Sequence, residues 1–360
     1  MADSLYVHVP FCRNICHYCD FCKEIYNRDF ADAYLKTLEE DLKTKEGPFK
    51  TIYIGGGSPS SLNHEQLESL LKMLKPYRND NTSYTIEVNP EDMDDIKIDL
   101  LVKYGINRVS IGIQTFNAKI LSFLNRKHNQ DMVINLVNKL KEKGIKDING
   151  DLMFGITNQK NEDILNDLNI LTEKLDLSHI STYALLIEEH TYFKVKNIKA
   201  LDDDIEADQY ELICNYLKDK GYNHYEVSNF AKPCYESKHN LTYWQAKEYA
   251  AIGPGASGYE KGIRYDISPS LSKYFKGQIE KQEYPLSASD LEYEYIILNL
   301  RLNTGLSFKE FTAKFKKDFQ EEYADIIAQL LKEDLIEIQK DTLRVKEEKF
   351  FILNRVLQKF

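Results

Sequence analysis

Several common protein classes are excluded by what this chain has little of. Six cysteines in 360 residues do not build a disulfide scaffold of the secreted type. Sixteen glycines and nine prolines are too few for a fibrous or low-complexity chain, and no internal repeat stands out beyond strand–helix units. No stretch approaches the roughly 18 to 20 uninterrupted apolar residues of a membrane span. The opening MADSLYVHVPF lacks the basic start and apolar core of a signal peptide. The expected location is therefore cytoplasmic, without a transmembrane segment, although peripheral membrane contact stays open. Positive charge is also short. A net charge of −10 argues against a nucleic-acid partner held by phosphate neutralisation.

What is present has a rhythm. Apolar runs at 5–9, 51–54, 84–88, 107–113, 148–155 and 178–185 alternate with amphipathic stretches at 28–44, 63–77, 94–104, 130–143 and 161–174. Strands alternating with helices imply a parallel sheet with right-handed crossovers, and six units suit an open, partial (β/α)6 barrel. The fold class is thus α/β. Beyond residue 200 the spacing predicts a helix over 202–222, a strand over 224–231 and a glycine-rich loop over 251–259. From Leu286 onward, helices near 288–301, 307–317 and 320–332 and a hairpin over 335–345 suggest a small winged-helix-like module. Its acidity suits a lid or partner surface. The expected domains are 1–285 and 286–360.

The cysteines are concentrated rather than spread. In VPFCRNICHYCDFCK, Cys12, Cys16, Cys19 and Cys22 fall directly after the first strand. Cys214 and Cys234 stand alone and read as a core residue or stray thiol. Structural zinc is one reading of a C-x-x-C pair, but no second knuckle follows downstream. Three thiolates at C-x₃-C-x₂-C suit a 4Fe–4S cluster with one iron left for a small-molecule ligand. Cys22 then reads as a neighbour outside the ligand set.

Other polar residues gather at the same strand ends, where barrel active sites form. Gly56, Gly57 and Ser58 follow the second strand, Glu87 ends the third, Gln114 follows the fourth and Asp151 lies within the fifth. The glycines open backbone groups to a polar ligand. The carboxylates suit an amine and ribose hydroxyls, and the planar fork of Arg126 suits a carboxylate. Each alone reads more readily as a structural salt bridge or a solvated charge; together they outline a pocket for a zwitterionic nucleoside.

These residues resemble those of the radical S-adenosylmethionine (SAM) superfamily, and GGGSPS, IEVNP, SIGIQTF, LNR and DLMFG resemble, in order and spacing, the SAM-binding segments of its HemN/HemW group. The resemblance covers essentially the whole chain. It implies that Cys12, Cys16 and Cys19 hold the cluster, that Tyr18 lies against adenine, that Gly56 and Gly57 sit near the methionine moiety with Ser58 beside them, and that Glu87, Gln114, Arg126 and Asp151 contact SAM. In the group, reduced clusters cleave SAM to a 5′-deoxyadenosyl radical, which implies a flavodoxin- or ferredoxin-like reductant. HemN members oxidatively decarboxylate coproporphyrinogen III; HemW members are heme chaperones that pass heme to acceptor proteins. Three features resemble the HemW branch: the first strand begins at Leu5 without a long extension, Phe21 stands where HemN has a further cysteine, and KHNLTYW carries H-N-x-x-Y-W. That last match implies heme contact for His239, with Tyr243 and Trp244 beside the macrocycle, although by residue type alone His239 reads as a structural histidine in a polar loop.

Overall fold

A computed structural model describes residues 2–360. Six strands, Ser4–Val9 (β1), Thr51–Gly56 (β2), Ser83–Val88 (β3), Arg108–Gln114 (β4), Asp147–Phe154 (β5) and His179–Ala184 (β6), pair side by side in chain order, all parallel. Every crossover advances the sheet in the same direction, so its twist curls it into a barrel wall. The helices on the outside start on side-chain caps: Asn27, Asn63, Asp94, Asn117 and Asn129 each accept a bond from a first-turn backbone N–H, a contribution of about 1 kcal/mol apiece.

The two faces of the sheet differ in chemistry, as the period of two in a strand requires. Leu5, Val7, Ile52, Ile54, Ile86, Val109 and Ile111 are buried against the helices. The alternate residues, among them Tyr53, Glu87, Ser110, Asn149 and Asp151, share the inner face and bond to one another: Tyr53 to Glu87 at 2.7 Å, and Asn149 to both Ser110 and Asp151 at 2.7 Å. Barrel interiors are usually filled by layers of apolar side chains. This one is polar, and it holds the site.

Three expectations change beyond residue 200. The segment expected as one strand is a hairpin, Asn223–Glu226 (β7) and Asn229–Ala231 (β8), because the chain turns at 227–228 and lays β8 antiparallel on β6. The expected glycine-rich loop contains two strands. Ala250–Ile252 (β9) pairs parallel to β1, and Gly253 and Gly255, both at positive φ, turn the chain into Ser257–Glu260. The expected polar loop around His239 is a helix, Lys238–Trp244, capped by Ser237 accepting from the Asn240 N–H. The full sheet has nine strands in the order β9-β1-β2-β3-β4-β5-β6-β8-β7, and β9 and β7 do not meet.

Helices Ala288–Asn299, Phe308–Phe315, Phe319–Glu322 and Ala324–Lys332, with a small antiparallel sheet ending in the Ile336–Gln339/Thr342–Val345 hairpin, form the C-terminal region. Stacked and edge-on rings of Phe308, Phe311 and Phe319 fill its interior. No helix among the described residues is long and apolar enough to cross a membrane.

Candidate functional site

The cysteine loop leaves β1 and is pinned at its base and at its tip. At the base, Phe11–Cys12 pairs with Glu24–Ile25, and the Tyr26 N–H donates to the Cys12 carbonyl at 2.9 Å. At the tip, the His17 N–H donates to the Leu124 carbonyl at 3.2 Å, His17 Nδ1 to the Phe123 carbonyl at 2.8 Å and Asn125 Nδ2 to the Ile15 carbonyl at 2.8 Å. His17 also stacks on Tyr192 with ring centres 4.1 Å apart. The loop's shape is therefore set by residues far along the chain.

Cys12, Cys16 and Cys19 line one cavity of about 410 Å³, which Tyr18, Gly56, Gly57, Ser58, Glu87, Gln114, Arg126 and Asp151 also line. All the residues expected at the strand ends are thus brought together. Cys22 is not in this wall: its thiol points to the Pro269 carbonyl at 3.6 Å and lies against Gly255.

Arg126 ties the parts. Its Nη1 donates to Cys16 Sγ at 3.5 Å, and its Nη2 to Asn89 Oδ1 at 2.8 Å and to the Gly112 carbonyl at 2.5 Å. Its Nε is buried without a partner. Gly57 lies so close to the loop that an added Cβ would stand 3.0 Å from Cys12 Sγ and 2.8 Å from the Phe11 carbonyl. Gly56 has φ +113, which disfavours any side chain. Opposite, Tyr18 packs on a small apolar cluster that includes Met153 and Leu185, a surface suited to a flat ring.

Two desolvated carboxylates face this space. Glu87 accepts from Tyr53 Oη at 2.7 Å and from the Gly56 N–H at 3.1 Å, and burial, with the Asp151 charge nearby, pushes it up to about 7. Burial pushes Asp151 up to about 6 in spite of its bond from Asn149. Among the described residues neither has a cation at ion-pair distance, so a cationic or hydroxyl-bearing ligand would relieve both. A raised folded-state pKa means that Glu87 supports stability at low pH and that this support is lost as pH rises from the unfolded value through about 7. Glu87→Gln is therefore expected to gain on the wild type as pH rises from 5 to 8.5, by roughly 1–3 kcal/mol at 1.36 kcal/mol per unit. The amide's altered bonding adds an offset that does not vary with pH, so ligand-free denaturation at the two pH values isolates the effect; a pH-independent difference would sink it.

The donor set suits a cluster held by three thiolates. Three sulfurs share one wall, the Arg126 charge reaches one of them, and the fourth cysteine of the loop faces elsewhere. Burial and the neighbouring Cys19 and Cys16 push the Cys12 thiol up to about 12, so a thiolate there needs a metal charge to stabilise it.

His239 departs from expectation. It is 2 % exposed, its Nδ1 is bonded to Thr51 Oγ1 at 2.7 Å and its Nε2 to Tyr243 Oη at 2.7 Å, and its ring stacks on Tyr53. Thr51 opens β2, and Thr242 of the same helix bonds Ser4 at the start of β1 at 3.0 Å. The helix thus closes the N-terminal end of the barrel, opposite the cysteines. With both ring nitrogens engaged and burial pushing its pKa down to about 3, His239 is held neutral in the barrel floor, on a helix rather than in the expected polar loop. Tyr53, Asn89 and Asn125 were missed in the sequence; only the NP in IEVNP and the N in LNR lay within recognised segments.

Residues 6–171 match the radical SAM superfamily model, and residues 286–351 match the HemN C-terminal domain model. The chain is 38% identical to the heme chaperone HemW of Lactococcus lactis, covering 99% of this chain and 97% of that one. It is 33% identical to the heme chaperone HemW of Bacillus subtilis, with 99% and 98% covered. Among solved structures, the coproporphyrinogen III oxidase HemN of Escherichia coli superposes with a TM-score of 0.86 at 21% identity, over 99% of this chain and 89% of that one, which shows the fold.

Proposed function

The chain belongs to the HemW family of radical SAM proteins, and from that premise we propose that it binds heme and delivers it to an acceptor protein, using a barrel that carries a 4Fe–4S cluster and SAM. The observation that carries this reading is the kinship with heme chaperones from end to end of both chains. Cys12, Cys16 and Cys19 hold the cluster, which when bound supplies an electron to SAM. Gly56, Gly57 and Ser58 give the ligand's methionine end an open backbone, and the Arg126 guanidinium, which lines the cavity, takes its carboxylate. Glu87 and Asp151 between them take the amine and ribose hydroxyls, Gln114 adds a polar contact, and Tyr18 meets the adenine. A flavodoxin- or ferredoxin-like protein is the electron source, the setting is the cytoplasm, and the unit over 286–360 offers the acceptor a surface beside the barrel unit over 1–285.

Anaerobic titration of ferric heme into the cluster-loaded chain tests the reading: saturable binding near one heme per chain is expected, and no turnover of coproporphyrinogen III. Absence of saturable binding would sink it. In the same experiment His239→Ala is expected to keep the stoichiometry and lose about 1–3 kcal/mol of stability, because Thr51 and Tyr243 lose a buried partner.

A further inference from the structure

A chain of hydrogen bonds runs through the barrel interior from its floor to the cavity. It starts at Ser237, the cap of the helix that closes the N-terminal end. The Ser237 N–H donates to Tyr225 Oη at 3.2 Å, and Tyr225 Oη lies 2.8 Å from His179 Nε2. His179 Nδ1 lies 2.7 Å from Asn149 Oδ1, and Asn149 Nδ2 donates to Asp151 Oδ1 at 2.7 Å. Tyr225, His179 and Asn149 are buried, whereas Asp151 lines the cavity. The chain crosses β7, β6 and β5, so buried residues outside the cavity wall are joined to one that forms it.

We propose that Asn149, held by His179 and Tyr225, is a positioning residue that keeps Asp151 a hydrogen-bond acceptor and so makes the site select a ribonucleoside over its deoxy counterpart. The inference rests on the SAM reading above.

The direction of every link follows from the first. A backbone N–H only donates, so Tyr225 Oη accepts there and keeps its own proton to give. Among the described residues its acceptor is His179 Nε2. Burial and the Arg108 charge keep His179 neutral, so with Nε2 accepting, Nδ1 carries the proton. That proton fixes the Asn149 amide with its oxygen toward His179 and its nitrogen toward Asp151. The amide is saturated in this pose: its oxygen also accepts from Ser181 Oγ at 3.1 Å, and its nitrogen also donates to Ser110 Oγ at 2.7 Å. Turned over, it would set its NH2 against the Nδ1–H and its oxygen against the Asp151 carboxylate.

Asp151 therefore always meets a donor from the protein side. Burial alone drives a carboxyl toward its neutral, donating form; the bond from Asn149 opposes this. An ionised Asp151 accepts from a hydroxyl. Glu87 is tied to the Gly56 N–H, beside the ligand's methionine end, and so takes the amine, which leaves the ribose to Asp151. A site built to accept a hydroxyl proton rejects a ligand that lacks it, because a desolvated charge is left unpaired.

The test titrates S-adenosylhomocysteine and its 2′,3′-dideoxy analogue into the cluster-loaded full chain and reads the ratio of the two affinities. The wild type is expected to prefer the hydroxyl-bearing ligand by about tenfold or more. In Asn149→Leu the preference is expected to fall to about twofold. Tyr225→Phe, which removes one hydroxyl at the far end of the chain, is expected to lower it roughly threefold. Damaged packing would weaken both ligands alike and leave the ratio where it was. An unchanged ratio in Asn149→Leu thus overturns the role of Asn149, and one in Tyr225→Phe overturns the chain behind it. Should Asn149→Leu fail to fold, Tyr225→Phe decides alone. A wild type that binds both ligands equally overturns the selection by Asp151, while the binding upholds the SAM reading. A wild type that binds neither overturns that reading itself.

Discussion

Anaerobically prepared Cys16→Ala is expected to lose the visible absorbance and acid-labile sulfide of an iron–sulfur cluster, whereas Cys22→Ala keeps both. The contrast follows from where the two thiols point. Cys16 lines the cavity with Cys12 and Cys19 and receives the Arg126 Nη1. Cys22, three residues beyond Cys19, turns its thiol to the Pro269 carbonyl. A cluster held by three thiolates has no spare protein ligand, so removing one leaves an iron bound by sulfide alone and open to loss. Cys12→Ala and Cys19→Ala are expected to behave as Cys16→Ala does. Iron and sulfide assays on the four variants check this, and a Cys22→Ala chain without sulfide would move the ligand set.

Arg126→Ala is expected to be the most destabilising single change at the site, by about 3–5 kcal/mol. Arg126 is buried and holds three partners on three segments: Cys16 in the loop, Asn89 after β3 and the Gly112 carbonyl in β4. Without it the Gly112 carbonyl and Asn89 Oδ1, both half-buried, lose a donor. Glu91 suffers as well. Although partial burial pushes the other way, His128 and Arg126 together hold its carboxyl below the usual range, and the loss of the guanidinium leaves it with His128 at 3.5 Å. Arg126→Lys keeps the charge but not the planar fork and is expected to recover only part of the loss. Denaturant unfolding of the ligand-free chains reads both; a loss below 1 kcal/mol would show that Arg126 serves a ligand rather than the scaffold.

The six barrel strands were legible because each is a short apolar run alternating with an amphipathic stretch, and the site was legible where it is contiguous. The thiol spacing and the glycine triplet announce themselves within a few residues. What holds them does not. The bond from His17 to Phe123 spans 106 residues and that from Asn125 to Ile15 spans 110, and no local pattern records such a contact. The helix Lys238–Trp244 has seven residues, too few for a period to show, and its Ser237 cap was the one local cue. Missing that helix left His239 in a loop, where a free imidazole was plausible; as part of a helix across the strand ends, it is enclosed. β9 was hidden for a different reason. Its three residues run straight into Gly253, and the glycines that turn the chain outweighed the short strand before them.

The pairing of β1 with β9 sets a schedule for the cell. Cys12 is among the first residues to leave the ribosome, yet β1, the strand just before it, gains its second neighbour only when Ala250–Ile252 has been made. Those residues emerge roughly 240 positions later, on the order of ten to fifty seconds at bacterial translation rates of about 5–20 residues per second. Throughout that interval the outer edge of β1 has no partner strand. A chain truncated before residue 250 would keep every residue that lines the cavity and every partner at the tip of the cysteine loop, and would lack the strand that covers the outer edge of β1.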